Sequence, residues 1–411
     1  MEYDVAVIGG GASGLIAAGR AGESGAKTIL VEKNTAVGLK LLMTGGARCN
    51  LTNYIEDKKI LASNFGSAGR FLISAFSRFG PSETIDFFNA LGLPTKKEEN
   101  NRVFPRENTA RAVLQALLDY LKKSGVVIKA GTAVKEFVLD KGKIGEIILV
   151  DGQRVRATNY ILTTGGRSYP ATGSSGDAYN WLEKMGHKII VPSPALTPII
   201  VKDSFVAELE GLSREGISLS LFQGRKKIAA SQGSVLFTAL GISGPAALDI
   251  SRFIRPPFQD DLILSLDFFP ELTGENLDDK LLEIFSGSNK TFKNSLAGFL
   301  PPKLISPLAR LLALDPEKLA NSITKRERRE LANRLKDFCL GVKGLAGYDK
   351  AMLTAGGLDL REVDPKTMRS RIIPNLFVAG EVLDIAGPTG GFNLQACWST
   401  GRTAGEAAAK I

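Results

Sequence analysis

Gly9, Gly11 and Gly14 stand in a G-x-G-x-x-G spacing, directly after the β-branched run Asp4-Val5-Ala6-Val7-Ile8 and before a small-residue helical stretch reaching Gly25. Strand, tight turn and helix in that order make an anion site. Gly9 allows the turn, Gly11 lets the backbone approach a pyrophosphate, and Gly14 lets helix and strand pack closely; Ala12 and Ser13 open the helix toward the negative charge. A second run, Lys27-Thr28-Ile29-Leu30-Val31, ends at Glu32 and Lys33. Glu32 falls close to the ~20-residue spacing at which an acid accepts hydrogen bonds from an adenosine ribose. Glycine-rich turns also arise for packing alone, but strand, helix and acid together point to a dinucleotide.

The other end of the chain selects which dinucleotide. Pro374-Asn375-Leu376-Phe377-Val378-Ala379-Gly380-Glu381 reads as a buried strand ending in a small-Gly-acid corner. In flavoproteins built on this arrangement a late strand of that kind brings its acid to the ribityl hydroxyls, which makes Glu381 the candidate here. Gly387-Pro388-Thr389-Gly390-Gly391-Phe392-Asn393 then leads into an Ala-rich helix. Its N-terminus would offer free N–H groups and a partial positive charge to the flavin N1 and C2 carbonyl, where negative charge gathers on reduction. A nicotinamide dehydrogenase needs no such return, so FAD is preferred to NAD.

Composition narrows the chemistry further. A single histidine, His187, leaves no material for a multi-histidine metal centre or an H-E-x-x-H site, and three cysteines without a C-x-x-C exclude a cysteine zinc site or disulfide scaffold. No metal is expected. The thiols suit a reducing compartment, no apolar run approaches the ~18 to 20 residues of a membrane span, and the start lacks a basic leader segment, so a cytoplasmic protein without a membrane partner is expected. The formal charge of +9 attracts anions without naming one.

Lys40 precedes Leu41-Leu42-Met43-Thr44-Gly45-Gly46-Ala47-Arg48-Cys49-Asn50-Leu51-Thr52-Asn53, a Gly-Gly turn followed by alternating residues. Such a loop can run close under a cofactor while presenting Arg48, Asn50 and Asn53. Cys49 has no resolving cysteine nearby and reads as a packed or cofactor-contacting thiol. With Gly165-Gly166-Arg167-Ser168-Tyr169-Pro170, Thr172-Gly173-Ser174-Ser175-Gly176-Asp177, Leu236-Phe237-Thr238, Gly241-Ile242-Ser243-Gly244-Pro245 and Thr354-Ala355-Gly356-Gly357, these blocks resemble, nearly end to end, the BaiN-like (YhiN-like, aminoacetone oxidase-like) family of FAD-dependent oxidoreductases. The resemblance implies FAD held by the first and last blocks, a backbone contact from Val134 to the adenine, and an inserted substrate domain between them. Relatives tend to carry Gly at Ala47, His at Ala239 and Asp near Ala386, so an imidazole role at position 239 has no counterpart here.

At about 150 residues per domain, 411 residues allow one large or two to three smaller domains. Residues 54 to 124 show helical periodicity, and strands follow from Val126 to Leu162. The expected fold is α/β: a Rossmann-like, glutathione-reductase-like FAD domain over 1–190 and 340–411, interrupted by a β-barrel-like subdomain at 191–270, where Ile217, Leu219 and Leu221 alternate, and by a helical subdomain at 271–339. His187, between a helix and a strand, reads as a capping or packing imidazole. The run Thr324-Lys325-Arg326-Glu327-Arg328-Arg329-Glu330 reads as a solvated helix face over buried Leu331 and Leu335.

The expected cofactor contacts are therefore Gly9, Gly11, Ala12, Ser13, Gly14, Glu32 and Lys33; Lys40, Gly46, Arg48, Cys49 and Asn50; Val134, Thr164, Gly165, Gly166 and Asp177; and Gly380, Glu381, Gly391, Phe392 and Asn393. Arg48, Asn50 and Tyr169 are candidates for the substrate side. The expected function is hydride transfer between flavin N5 of a tightly held, non-covalent FAD and a small organic substrate. NAD(P)H is a candidate transient donor, and without a second G-x-G-x-x-G it would have to reach the flavin face itself. The alternatives are an amine oxidase of the aminoacetone type using O2 and an RNA-acting flavoprotein that uses Arg326, Arg328 and Arg329.

Overall fold

The computed structural model describes residues 2–257 and 261–410. Two compact units emerge, one formed by Met1–Pro194 with Ala351–Ile411 and the other by Ala195–Lys350. In the first, β1 (Glu2–Ile8) runs into α1 (Ala12–Glu23) and β2 (Thr28–Val31), followed by β3 (Val127–Lys129), β4 (Arg154–Leu162) and, far along the chain, β5 (Leu376–Val378). Their parallel order is β3-β2-β1-β4-β5. Val5, Val7, Leu30, Ile161 and Val378 are buried, as expected for parallel strands covered on both faces. Ile8 pairs with both Val31 and Leu162, and Leu162 with Val378, so these four strands end level with one another. A ligand crevice belongs at that carboxyl edge.

At the start of β4, Arg154 and Val155 pair with an antiparallel hairpin, Val134–Asp140 and Lys143–Leu149. On one face of the sheet α1 meets α2 (Phe392–Ala408) at very short range: a Cβ on Gly401 would stand 2.4 Å from the Ser13 carbonyl, and one on Gly405 2.3 Å from that of Ala17. Small residues therefore set this crossing. The helices expected over 54–124 form, Lys58–Ser63, Gly69–Arg78, Pro81–Ala90 and Ala110–Lys123 among them. Between them lies an unanticipated antiparallel sheet of Thr52–Asn53, Thr95–Lys97 and Arg102–Pro105. Strands of two to four residues are too short to show a two-residue period.

The second unit holds a closed six-stranded barrel: Ile199–Val201, Gly241–Ser243, Lys226–Thr238, Ser213–Gln223, Leu262–Asp267 and Phe338–Leu345, the last returning to the first. Ile217, Leu219, Leu221, Leu264, Leu266 and Leu340 fill it with apolar side chains. Helices Gly274–Phe285, Pro302–Leu311 and Lys325–Lys336 add Leu277, Leu281, Leu304, Leu308, Leu331 and Leu335 to the same core. This corrects the expected division in two ways. The barrel and the helices form one unit with one core, where separate subdomains at 191–270 and 271–339 were expected, and Phe338–Leu345, assigned from Leu340 onward to the returning FAD domain, supplies the strand that closes the barrel. Alternation marks a strand but does not say which sheet it joins, so the return comes at Ala351. Ile189–Ala195, at the other boundary, pairs with Leu353–Leu358 in the first unit.

Candidate functional site

A cavity of about 190 Å³ opens at the carboxyl edge of the parallel sheet, and its lining belongs wholly to the first unit. Gly9, Gly11, Ala12 and Ser13 reach it from the turn after β1, and Glu32 and Lys33 from the end of β2. Lys40, Val134, Thr164, Gly165 and Asp177 line it from the middle segments, Glu381 and Asn393 from the returning one. Gly9 has φ +103, the left-handed backbone that glycine adopts without strain.

The carboxylates are held in defined attitudes. Glu32 Oε2 accepts from the Gly10 N–H at 2.7 Å, and its Oε1 accepts from the backbone and side-chain N–H groups of Asn34, both at 2.8 Å. Lys33 pairs with Asp177 at 2.6 Å and donates to Ser175. Glu381 pairs with Lys40 at 2.7 Å and also accepts from the Ser168 hydroxyl at 2.7 Å and the Thr354 N–H at 2.9 Å. By contrast, the hydroxyls of Ser13 and Thr164 are buried in the lining without a hydrogen-bond partner among the described residues. Buried hydroxyls left unmatched cost stability. The phosphate and sugar oxygens of a dinucleotide would supply the missing partners, so the donor set fits FAD.

Other residues expected at the cofactor lie off the cavity lining. A Cβ on Gly14 would fall 1.8 Å from the Gly9 carbonyl, one on Gly380 2.8 Å from Ser13 Cβ, and one on Gly391 2.5 Å from the carbonyl carbon of Thr52, so these glycines let backbones approach. Gly166 makes room instead for the side chains of Thr354 and Glu381. Phe392 packs edge-on against Phe65. In the 46–50 loop Gly46 makes the turn with φ +66. Arg48 donates to Asn108 at 2.6 Å, pairs with Glu98 at 2.5 Å and covers the Phe104 ring, while Asn50 accepts from the Val103 N–H. Cys49 is fully buried, and burial pushes its thiol up to about 12, which removes it as a nucleophile. Tyr169 takes φ +52 and its carbonyl accepts from Thr172, holding a turn.

The sequence reading passed over Asn34, Thr132, Trp181, Leu353, Leu394 and Cys397, all of which line the cavity. Asn34, two residues after Glu32, was the most legible of them. Cys397 follows Asn393 by one helical turn, and burial, with the Glu381 charge beside it, raises its thiol to about 12. His187 stands apart from the lining, buried between Glu362 Oε2 and Ser370 Oγ, each 3.1 Å away; burial lowers its pKa although Glu362 opposes the shift. Arg328 is held by a two-pronged bond to Asp278 at 2.8 and 2.9 Å. The face expected to be solvated keeps Lys325, Arg326, Arg329 and Glu330 exposed over buried Leu331 and Leu335, while Arg328 is drawn inward. Among the described residues no group of three or more His, Cys, Asp or Glu side chains could hold a metal ion, and no helix is long and apolar enough to cross a membrane.

Comparison with known proteins places this geometry. The family model described as the HI0933-like protein Rossmann domain matches residues 3–407. A 3-dehydro-bile acid delta(4,6)-reductase of Clostridium scindens is 34% identical over 99% of both chains. A ribosomal RNA dihydrouridine synthase of Escherichia coli is 29% identical over 97% of this chain and 96% of its own. Among solved structures, a 3-ketosteroid delta1-dehydrogenase from Sterolibacterium denitrificans superposes with TM-score 0.55 at 13% identity, covering 99% of both chains. The FrdA subunit of E. coli quinol fumarate reductase gives 0.54 at 16%, over all of this chain and 70% of its own. At those identities the likeness is one of fold.

Proposed function

The chain belongs to the HI0933-like Rossmann-domain family and is an FAD-dependent oxidoreductase, and we propose that it works as a reductase, saturating a carbon–carbon double bond conjugated to a carbonyl in a small organic molecule. The cavity carries the cofactor half of this reading, since its unmatched Ser13 and Thr164 hydroxyls lie beside the α1 N-terminus and the fixed carboxylates Glu32 and Glu381. The names of the two curated relatives support the reaction half. Delta(4,6) reduction of a 3-oxo compound and the making of dihydrouridine both add a hydride and a proton across a double bond made electron-poor by a carbonyl.

When bound, FAD supplies a centre that accepts and donates a hydride. The chain's residues bind and orient it without a covalent link. The α1 N–H groups and Ser13 receive the diphosphate, Glu32 takes the adenosine ribose hydroxyls, and Val134 meets the adenine through its backbone. Glu381 holds the ribityl chain, and the N-terminus of α2 stabilises negative charge on the ring system. NAD(P)H is the proposed donor, arriving transiently at the same face.

An anaerobic titration with NADPH and NADH tests the reading. One nucleotide should bleach the flavin band rapidly, and an enone added afterwards should restore it. Absence of bleaching by both, with ready reduction by amines, would replace this reading with the oxidase alternative.

A further inference from the structure

Resting on the reading that Glu381 contacts the cofactor, we propose that Ser168 and Thr354 are positioning residues, fixing through Glu381 which carboxylate oxygen faces the ribityl end of FAD. Neither residue lies on the cavity lining. Both are fully buried, and they come to Glu381 from segments far apart in sequence.

The hydrogen bonds around this carboxylate have one consistent direction. Thr354 Oγ1 accepts from the backbone N–H groups of Arg167 at 2.7 Å and Ser168 at 3.1 Å, which leaves its own proton free to point at Ser168 Oγ, 3.4 Å away. Ser168 Oγ, which also accepts from Lys40 Nζ at 2.6 Å, gives its proton to Glu381 Oε1. The Thr354 N–H fills the second acceptor position of the same oxygen. Oε1 is thereby saturated, since each carboxylate oxygen offers two lone pairs. Oε2 takes one bond, from Lys40, and keeps one position for a ligand hydroxyl.

Gly166 completes the cage from the other side. Its φ is not in the left-handed region, so alanine meets no backbone strain there, yet a Cβ would stand 2.3 Å from Thr354 Oγ1 and 2.8 Å from Glu381 Oε1. The absent side chain makes room for the two groups that aim the carboxylate. Gly166, expected at the cofactor, thus acts one layer behind it.

Binding of FAD and of ADP to the apoprotein, measured by fluorescence and calorimetry, tests the arrangement, because ADP lacks the ribityl half. Ser168→Ala and Thr354→Val should each weaken FAD about tenfold, as expected for a hydrogen bond to a charged group, and leave ADP within about twofold. Thr354→Ser, which keeps the hydroxyl, should restore wild-type affinity, and Gly166→Ala should reproduce the loss without removing any donor. In a Glu381→Gln background the effect of Ser168→Ala should vanish, because the residue acts through that carboxylate. Additive losses in the double variant, or equal losses for FAD and ADP, would overturn the positioning role while leaving Glu381 as a contact. Wild-type FAD affinity in Glu381→Gln alone would remove the contact itself and this inference with it.

Discussion

Glu381 and Asp278 are both carboxylates paired with a cation from a distant segment, and the pairings serve opposite ends. Asp278 receives the parallel fork of one guanidinium, Arg328, on both oxygens, within the single core of the barrel unit, and that bond holds its carboxyl below the usual range. Glu381 receives three separate donors, lines a cavity, and has an acceptor position to spare. A buried ion pair alone says little about function. What separates the two is where the spare acceptor position lies: Glu381 keeps one on a cavity, whereas Asp278 lies off that lining and both its oxygens are taken up by one guanidinium.

The largest expected contrast comes from breaking each pair. Arg328→Ala should destabilise the protein by about 2 kcal/mol, below the ~3–5 of a fully buried pair because both side chains keep some water, and FAD affinity should hold. Urea unfolding paired with a flavin titration reads both quantities. Glu381→Gln should do the reverse, weakening FAD roughly thirtyfold, or about 2 kcal/mol, with little change in apoprotein unfolding. If both variants lose stability and flavin alike, the contrast fails.

Acid should sharpen the same comparison. With its pKa depressed in the folded state, Asp278 contributes stability that is present above the unfolded value of ~3.9 and lost as pH falls through the folded value. Asp278→Asn should therefore start less stable at pH 7 and lose less than wild type on descent to pH 3. His187 offers a smaller effect with the same sign. Its lowered pKa means the unfolded chain binds the proton first, so stability should decline as pH drops below the unfolded value of ~6.5, and His187→Gln should flatten that slope. As the chain's one imidazole, it would give the only histidine signals in an NMR titration. Smallest of all, Arg326→Gln should change stability by less than about 0.5 kcal/mol, its side chain being 85% exposed. It should also leave migration with RNA at low salt unchanged; a marked loss of a salt-sensitive shift would revive the RNA-acting alternative.

What could be read from the sequence follows how local each signal is. The strand, turn, helix and acid from Val5 to Glu32 interact across a few tens of residues, and the spacing alone specified the turn, the close helix packing at Gly14 and the place of Glu32. Gly380-Glu381 was legible because a glycine-acid corner after a buried strand is compact. The cage of Lys40, Ser168 and Thr354 was not, since it depends on three segments meeting in register. The bonds of the 46–50 loop were less legible for a related reason: Arg48 and Asn50 bind the short sheet of Thr95–Lys97 and Arg102–Pro105 and the residue beside it, and those strands leave no periodic trace.

The position of β5 beside β4 also bears on the order in which the protein is made. Leu376 pairs with Tyr160, yet the whole of Ala195–Lys350 intervenes, so a ribosome has released the barrel unit before the parallel sheet gains its final strand. Until then the growing chain has the glycine turn and Glu32 but neither Glu381 nor α2, while β4 offers an unpaired edge. The full lining, with Glu381 and α2 in place, is thus assembled only at the end of synthesis, and the earlier-made barrel, with its own closed ring of strands, is free to fold during the wait.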